Sequence, residues 1–405
     1  MHGSGRNLFV AYLLGACAVV AVAMHYGIAV AAEAQGEPII IGAIEDRSGA
    51  ATFYSQQSVA GMKAFVDMVN AGQFLYATKR VGTKPGFLGR PIKALYEDDQ
   101  SNPNITLVKV RKLIDSGAKI IFFMSSSVGA LQARTVCAEQ KVLCIAPTNS
   151  MSRIAQSPGN EYVFMVAATN EMIAEAYINE WKARGYKRIA YFGDDSATSK
   201  SVVSGYQKVF TGAGIETVAT ETVTNDARDV VAAIERARNA KPDVLLNLII
   251  PAGTSVNFYT ATAHAGITVP RWAGIADTAE PEIWRLAGSA INGVMAGDLM
   301  STSNPNANEL RAAYGKTRAD APMTYMQASV WDSLMLAKAA VEAAGSLDGE
   351  RLKSEMEKIK DFPAALGQAG YTLNFGPDKH NGAGPGFMTI AKFENQLPVA
   401  VPKAP

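Results

Sequence analysis

Short apolar runs alternate along most of the 405-residue chain with segments that have apolar residues at helical spacing. The run at residues 38–44, PIIIGAI, has no polar interruption, which is typical of a strand buried on both faces of a parallel sheet. The segment after it carries Val59, Met62 and Phe65 at helical spacing and ends at Gly72. This alternation predicts α/β units.

The alternation continues to about residue 272 and predicts two successive sets of strands and helices. The predicted strands are at residues 38–44, 92–96, 119–123, 142–145, 162–166, 188–192, 216–223, 243–250 and 268–272. Among the predicted helices are residues 171–184, 199–211, 228–239 and 254–264. The polar segment 45–58, which contains Tyr54, is predicted to be a loop. We expect an α/β protein with two lobes, each with its own parallel sheet.

The last third of the chain does not begin a third set of this kind. Its predicted helices are at residues 308–319, 325–344 and 349–360, and its predicted strands are at 292–299, 371–375 and 386–393. Two long helices with few strands do not build another sheet, so we expect these elements to cover the two lobes. The chain then crosses between the lobes more than once, which predicts a hinge.

Two polar clusters follow neighbouring predicted strands of the first lobe. They consist of Ser125, Ser126 and Ser127 after one strand, and Thr148, Asn149 and Ser150 after the next. The carboxyl ends of neighbouring parallel strands open on one edge of the sheet, so both clusters should face one crevice. Helix capping and turn formation are the alternative interpretation. We favour a site for a small polar solute, because three adjacent hydroxyls exceed what capping requires.

Residues 1–32 have the pattern of a signal peptide. Arg6 precedes an apolar run at residues 8–23, and small residues end in the AVA of residues 29–31, an A-x-A cleavage pattern. We expect cleavage near residue 32 or 33 and export to the periplasm. Two alternatives are lipid attachment at Cys17, after a lipobox-like LGAC, and retention as a membrane anchor. We favour cleavage, because the apolar run continues beyond Cys17.

Charge and cysteine content narrow the class of protein. The formal net charge is +1, and removal of residues 1–33 takes away one basic and one acidic residue, Arg6 and Glu33. Such a balance does not favour a nucleic-acid partner. The remaining cysteines, Cys137 and Cys144, either form a disulfide in the oxidising compartment or are two buried small apolar residues.

The sequence offers little for catalysis. Only His264 and His380 remain after the leader, and both are assigned surface or structural roles. The adjacent acids Glu97, Asp98 and Asp99 are predicted to form a surface or helix-capping turn. The chain has no zinc-ligand spacing, no G-x-S-x-G motif and no phosphate-binding P-loop. We therefore expect no metal, no cofactor and no enzymatic activity.

The order of several segments resembles a known family. Successive matches are IIIGAIEDRSG, FYSQQSVAGMKAFVDMVNAGQ, LGRPIKALYEDDQSNPNITLVKVRKLIDSGAKIIFF, IAPTNS, YFGDDSATSKSVVSGYQKVFTGAGIETV, DARDVVAAIERARNAKPDVLL and YTATAHAGITVP. These segments are similar to the periplasmic solute-binding proteins of branched-chain amino acid and amide ABC transporters, which include leucine-binding proteins. The resemblance covers residues 38–399.

That resemblance implies a type I periplasmic binding fold with two Rossmann-like lobes joined by three crossovers. The amino-terminal lobe is expected at residues 38–165 and 298–374, and the other lobe at 166–297 and 375–401. The lobes of such a protein close over a small solute at the hinge. The implied partners are the solute and a membrane permease, and the implied state is monomeric.

The crossovers are expected near Met165, Gly297 and Phe375. By resemblance, the serine loop and Asn149-Ser150 hold a solute carboxylate, and Tyr54 forms an aromatic wall.

Two positions depart from the family pattern. Thr198 stands where the family has a tyrosine, and the segment GIADTAEP, which contains Asp277, replaces a glutamate-bearing loop. Asp277 either pairs with a ligand ammonium group or caps a helix that begins near Thr278. The ligand therefore stays open between a branched-chain or other amino acid, an amide, and an aromatic or other organic acid.

Two other functional classes are alternatives to transport. A Rossmann-type enzyme needs a glycine-rich loop after the first strand, but residues 46–49, DRSG, contain a single glycine. An extracellular sensor module differs from a transport component in its partner, a signalling receptor.

Overall fold

A computed structural model describes residues 34–318 and 322–402 of the chain. The predicted signal peptide, its cleavage site and Cys17 lie outside the described residues. In the described part of the chain no helix is both long and apolar enough to cross a bilayer.

The first sheet contains five parallel strands in the order β2-β1-β3-β4-β5. They are β1 (Ile39–Glu45), β2 (Ile92–Asp98), β3 (Ile120–Phe123), β4 (Leu143–Ala146) and β5 (Val163–Met165). Strands β3, β4 and β5 are buried at every position, as expected for uninterrupted apolar runs covered on both faces.

The second sheet contains seven strands in the order β14-β13-β10-β9-β8-β6-β7. They are β6 (Arg188–Asp194), β7 (Glu216–Val223), β8 (Val244–Asn247), β9 (Arg271–Ala273), β10 (Met295–Asp298), β13 (Thr389–Glu394) and β14 (Leu397–Ala400). Strands β6 to β10 are parallel, whereas β13 pairs antiparallel with both β10 and β14. A strand was predicted at 386–393, but the antiparallel arrangement of β13 and β14 at this edge of the sheet was not. These two strands form a hairpin whose turn residues Asn395 and Gln396 both have positive φ.

Helices connect the strands, and three of them come from the last third of the chain. The first group is α1 (Thr52–Asn70), α2 (Thr78–Val81), α3 (Pro103–Asp115) and α4 (Ser127–Gln140). The second group is α5 (Asn170–Ala183), α6 (Ala197–Gly212), α7 (Val231–Asn239), α8 (Ala252–His264), α9 (Ile275–Thr278) and α10 (Pro281–Ala287). The last group is α11 (Pro305–Thr317), α12 (Tyr325–Ala344) and α13 (Gly349–Lys358). A small hairpin joins β11 (Phe362–Pro363) to β12 (Thr372–Leu373).

Helix α12 is the long buried helix of the last third and packs against α1, as predicted for an element that covers a lobe. Its capping box uses Thr324 and Gln327. The two helices approach closely at Gly61, where an added Cβ would lie 3.1 Å from the Cγ of Gln327. The last third therefore adds a layer to the first lobe and edge strands to the second sheet.

The prediction of a loop over residues 45–58 was wrong, because α1 begins at Thr52. The Asp46 carboxylate accepts hydrogen bonds from the backbone N–H of Ser48 (3.0 Å) and of Ala51 (2.9 Å). This turn lets the helix begin within a polar stretch. Tyr54 therefore lies on a helix, where it is buried.

Two further predictions at strand ends were wrong. The strand predicted at 243–250 ends at Asn247, and the next three residues line the cleft, where the Ile250 N–H donates to Asp194 Oδ2. The acidic residues Glu97 and Asp98 belong to β2 and do not form a turn. Asp99 is fully buried, where it accepts hydrogen bonds from Thr106 Oγ1 (2.7 Å) and Ser125 Oγ (2.6 Å).

The two cysteines and His380 make structural contacts within the fold. Cys137 and Cys144 form a disulfide with a Cα–Cα distance of 6.2 Å, which joins the end of α4 to β4. His380 is buried and stacks on Phe164, and its Nδ1 lies 2.9 Å from the carbonyl oxygen of Asn160. Its role is therefore structural, as predicted.

Candidate functional site

One cleft, with a cavity volume of about 100 Å³, brings together all of the site residues predicted from the sequence. These residues are Tyr54, Ser125, Ser126, Ser127, Thr148, Asn149, Ser150, Thr198 and Asp277. The cleft lies where the carboxyl ends of β3 and β4 face those of β8 and β9. A cavity of this volume has room for a small solute and not only for a single buried water.

The two polar loops of the first lobe are hydrogen-bonded to each other. Asn149 Nδ2 donates to the carbonyl oxygen of Ser125 (3.0 Å), and the Ser150 N–H donates to Ser127 Oγ (3.2 Å). The Ser125 hydroxyl donates a hydrogen bond to Asp99 Oδ1 (2.6 Å). These contacts fix the spacing between the loops, so the polar groups of both face the cleft as one surface.

The beginning of helix α4 forms part of that surface. Ser126 is its N-cap, and its Oγ accepts a hydrogen bond from the Gly129 N–H (3.2 Å). An added Cβ at Gly129 would lie 2.5 Å from Thr106 Oγ1, so the first turn packs closely against the side chains behind it. The first N–H groups of a helix have no partner within the helix, and the helix dipole is positive at this end. A carboxylate is therefore well accommodated at this end of α4.

Asp277 is the acidic residue that lines the cleft, and it is 1% exposed. One oxygen accepts from Asn247 Nδ2 (2.9 Å) and from the Tyr259 hydroxyl, and the other accepts from Ser255 Oγ (3.1 Å). All three donors are neutral. Burial raises the pKa of Asp277 to about 7, although the three hydrogen bonds act in the opposite direction.

The interpretation of Asp277 as the cap of a following helix was wrong. Asp277 lies inside the short helix α9, and the next helix, α10, is capped by Glu280. The Glu280 side chain accepts a hydrogen bond from the Glu282 N–H (3.1 Å). Asp277 instead directs its carboxyl group into the buried polar network at the cleft.

Tyr54 connects the two sides of the cleft. Its hydroxyl donates to the carbonyl oxygen of Ile250 (2.7 Å), and the Ile250 N–H donates to Asp194 Oδ2 (2.7 Å). Asp194 thus fixes the segment that receives the Tyr54 hydrogen bond. Thr198 lies in the first turn of α6, beside this segment. Burial raises the pKa of Tyr54, and nearby Asp277 adds to the increase, so its hydroxyl stays protonated.

The sequence analysis missed several residues that line the cleft. They are Ala51, Ser55, Met124, Asn170, Val202, Tyr206, Asn247, Leu248, Ile249, Ile250, Gly274, Ile275, Ala276, Tyr325 and Met326. Asn247 follows the rule that found the serine loop, because it ends a strand of the second sheet. Tyr325 and Met326 begin α12, far along the chain from the other cleft residues, and no local pattern indicates their position.

The cleft combines a polar surface with an apolar wall. None of the lining residues in the described part of the chain is Lys, Arg or His. Carboxyl, amide and hydroxyl groups line the cleft together with the apolar side chains of Met124, Val202, Ile275 and Met326. With one buried acid and no basic side chain, the cleft suits a ligand that brings a positive group and an apolar part. No cluster of metal-ligating side chains occurs in residues 34–318 and 322–402.

Comparison with known proteins gives a match over nearly all of the described chain. A family model described as periplasmic binding protein matches residues 38–395. A Leu/Ile/Val-binding protein of Rhizobium johnstonii is 23% identical over 340 residues, which cover 82% of this chain and 87% of that protein. A leucine-, isoleucine-, valine-, threonine- and alanine-binding protein of Pseudomonas aeruginosa is 21% identical over 316 residues, which cover 75% and 81%.

Solved structures share the fold at low sequence identity. The branched-chain amino acid transporter substrate binding protein LivJ from Streptococcus pneumoniae, in complex with isoleucine, superimposes with a TM-score of 0.75. It is 19% identical, and the match covers 90% of this chain and 99% of that one. The leucine binding protein LivK from Thermotoga maritima gives a TM-score of 0.72 at 19% identity, with coverage of 90% and 98%. The two-lobed α/β architecture expected from the sequence is therefore confirmed.

Proposed function

This chain belongs to the periplasmic binding protein family, and we propose from that premise that it is the substrate-binding component of an ABC importer. It acts as a monomer in the periplasm, captures a small solute and delivers it to a membrane permease. No step of this role requires catalysis or a cofactor.

The proposed ligand is an amino acid with an apolar side chain. Its carboxylate occupies the loops at residues 125–127 and 148–150, at the positive end of α4. Its ammonium group faces Asp277, and its side chain packs on the wall that contains Met124 and Met326. The observation that carries this proposal is the pairing, in one cleft, of a helix N-terminus with a buried carboxyl group and no basic side chain.

The relatives support this choice of ligand class. The names of the Rhizobium johnstonii and Pseudomonas aeruginosa proteins both state binding of branched-chain amino acids, and the Streptococcus pneumoniae structure contains isoleucine. An aromatic or other organic acid, or an amide, is the competing ligand class. An organic acid without an amino group leaves Asp277 with only neutral partners, which favours the amino acid.

The proposal includes closure of the lobes on the solute. The amino-terminal lobe consists of residues 38–165 and 298–374, and the second lobe of 166–297 and 375–401. The chain crosses between them near Met165, Gly297 and Phe375, and these crossovers act as the hinge. Next to the crossovers, the Met165 N–H donates to the carbonyl oxygen of His380 (2.8 Å) and the Gly382 N–H donates to that of Met165 (2.9 Å), which supports a common hinge region.

A thermal-shift screen of the purified exported chain tests the proposal. The panel contains the L-amino acids, short amides and aromatic and aliphatic carboxylic acids. A ligand that binds only the folded state at about 100 times its Kd stabilises the protein by about 2.7 kcal/mol, which raises the Tm by several degrees.

We expect the largest increase with an apolar L-amino acid. A screen in which only amides or acids without an amino group raise the Tm would contradict the ligand assignment. A protein that responds to none of them, and that is recovered with a signalling receptor rather than a permease, would favour a sensor module. Tight binding of a nucleotide would instead favour a Rossmann-type enzyme.

A further inference from the structure

Asp277 is a buried acid whose hydrogen-bond donors are all neutral. Its carboxyl group accepts hydrogen bonds from Asn247 on β8 and from Ser255 and Tyr259 on α8. From α10 the indole N–H of Trp284 donates to its backbone carbonyl oxygen (2.6 Å). None of these elements brings a cation to the carboxyl group.

The other titratable groups around Asp277 do not supply a positive charge either. Tyr54 on α1, Tyr177 on α5 and Tyr325 on α12 face it across the cleft or the core, and burial raises the pKa of each phenol. These three residues therefore stay neutral at physiological pH.

Two arginines interact with groups near the cleft, Arg271 with Tyr259 and Arg311 with Asp298, but neither lines it, and the other charged neighbours are acids. Asp194 lies near Tyr54, and Asp298, at the end of β10, lies near Tyr325. Glu280 lies on the loop between α9 and α10 and is 2% exposed. Burial raises the pKa of Asp298 to about 6 and that of Glu280 to about 7. Among the residues that the structure describes, a deprotonated Asp277 thus has no cationic side chain beside it in the cleft.

The hydrogen-bond network around Asp277 is compatible with both of its protonation states. Ser255 Oγ lies 3.1 Å from Asp277 Oδ1 and accepts a hydrogen bond from Asn247 Nδ2 (2.7 Å). A serine hydroxyl both donates and accepts, so it can donate to the carboxylate or accept from the carboxylic acid. The second oxygen keeps its bonds from Asn247 and Tyr259 in either state.

We propose that an amino-acid ligand enters this cleft in exchange for the proton of Asp277. The carboxylic O–H bond of Asp277 breaks, the proton passes to solvent, and the carboxylate pairs with the ammonium group of the ligand. The positive charge lost as a proton equals the positive charge gained as ammonium, so the cleft never holds an unpaired buried charge. This inference rests on the proposed function, and it makes Asp277 the residue that selects solutes with an amino group.

The exchange has a direct consequence for pH dependence. Below about pH 7 the acid holds its proton in the free protein, and an ion pair in the complex lowers its pKa. Binding in this range competes with protonation, so affinity increases about tenfold for each pH unit up to about 7 and is constant above it. Organic acids without an amino group form no ion pair with the Asp277 carboxylate. Their affinity should therefore decrease, not increase, as the pH rises to about 7.

Isothermal titration calorimetry measures the exchanged proton directly. L-Leucine, L-isoleucine and L-valine are titrated into the exported protein at about pH 6, in phosphate and in imidazole, two buffers with different ionisation enthalpies. With an Asp277 pKa of about 7, the difference in binding heat should correspond to release of about one proton at pH 6, and the difference should vanish at about pH 8.5. 4-Methylpentanoate, the leucine skeleton without the amino group, is the matched ligand control and should release none.

Two variants assign the source of the proton. Asp277→Asn should abolish proton release and remove the pH dependence of leucine affinity. Glu280→Gln, a change of the other buried acid on the same segment, should leave both unchanged. Should Asp277→Asn fail to fold, the buffer dependence of the wild-type protein together with Glu280→Gln still decides the question.

The possible results separate this inference from the proposed function. Binding of an amino acid with the same heat in both buffers at pH 6 would overturn the proton exchange alone. Loss of proton release in Glu280→Gln would also overturn it, because the proton then comes from Glu280. If none of the three amino acids binds and only acids without an amino group do, the proposed ligand class fails and the inference fails with it.

Discussion

At the residue scale, the cleft is lined by Asp277 and Tyr54, two side chains from opposite lobes. Asp277 brings a buried acid from the second lobe, and Tyr54 brings a hydroxyl from the first lobe. The Tyr54 hydroxyl bonds to a backbone carbonyl oxygen of the second lobe, at Ile250. In the proposed closing motion this hydrogen bond forms only while the lobes are together, so it should stabilise the closed form.

Replacement of Tyr54 by phenylalanine should weaken ligand binding. A neutral hydrogen bond contributes about 0.5–1.5 kcal/mol, so the Kd should increase about two- to tenfold. The apolar contact of the ring is kept, and the Tm of the ligand-free protein should change little. Titration calorimetry with the amino acid that gives the largest thermal shift measures the change.

Tyr191 provides the matched control for that substitution. It is 1% exposed in β6, and in the described part of the chain its hydroxyl has no hydrogen-bond partner. Tyr191→Phe removes an unsatisfied buried hydroxyl, so stability should be equal or higher and the Kd unchanged. Equal binding by wild type and Tyr54→Phe would show that the hydroxyl contributes nothing to closure.

Buried acids should also make the stability of the free protein depend on pH. Burial raises the pKa of Asp277, Glu280 and Asp332 to about 7 each. A raised pKa means that the folded protein holds these protons more tightly than the unfolded chain. Their stabilising effect is complete below about pH 4 and is lost as the pH rises through about 7.

Urea unfolding of the ligand-free protein at about pH 5 and pH 8 tests this expectation. For Asp277, a folded pKa of about 7 and an unfolded pKa near 4 correspond to a loss of about 3 kcal/mol of stability between pH 5 and pH 8. The free energy of unfolding should therefore be clearly lower at pH 8. Glu280→Gln should reduce the difference, because one of the three acids is then absent. Higher stability of the wild-type protein at pH 8 would contradict the prediction.

At the element scale, helix α4 and strand β4 carry the first lobe's half of the cleft. Helix α4 begins in the serine loop, and β4 leads into the loop of residues 148–150. The Cys137–Cys144 disulfide joins the far end of the helix to this strand. Both elements are therefore fixed to one another at one end and reach the cleft at the other.

Removal of the disulfide should cost stability more than affinity. A closed loop of about eight residues restricts the unfolded chain by about 2.5 kcal/mol, so Cys137→Ala with Cys144→Ala should lower the free energy of unfolding by about that amount. The two loops are still joined by the bonds of Asn149 and Ser150, so the Kd should change less than threefold, which corresponds to about 0.65 kcal/mol. Urea unfolding and calorimetry on the double variant measure the two quantities. A large loss of affinity with unchanged stability would contradict this division of roles.

At the scale of the whole molecule, the carboxyl ends of strands from both sheets meet at the cleft, and hydrogen bonds connect the segments that line it. Tyr54 bonds to Ile250, and the Asn170 N–H donates to the carbonyl oxygen of Ser150 (2.8 Å). In the proposed mechanism, a ligand that contacts both lobes adds to these bonds and shifts the population toward the closed form.

Small-angle X-ray scattering should detect this shift as a decrease in the radius of gyration. A compact chain of roughly 370 residues has a radius of gyration of about 21 Å. We expect a value above this without ligand and a value close to it with saturating ligand. Tyr54→Phe should be more open than the wild type in the absence of ligand. A radius of gyration that does not change on binding would contradict a hinged mechanism.

The sequence by itself determined the α/β class, the two successive sets of elements and the two polar loops of the first lobe. These features depend on local patterns, since apolar runs form buried strands and polar residues at strand ends share an edge of the sheet. The same rule also applies to Asn247. The apolar run continues to residue 250, however, so the sequence does not show that the strand ends at Asn247.

The tertiary structure decided which groups face each other across the cleft and in what electrostatic environment. The sequence at the beginning of α1 predicts a polar loop, yet the segment is helical and Tyr54 is buried. Asp46 accepts hydrogen bonds from the turn before the helix, and the Tyr54 hydroxyl bonds to Ile250 of the second lobe. Asp277 reads equally as a cap or a ligand contact, and only the donors from β8 and α8 direct it to the cleft. Its pKa depends on burial by elements distant in sequence, which no local pattern encodes.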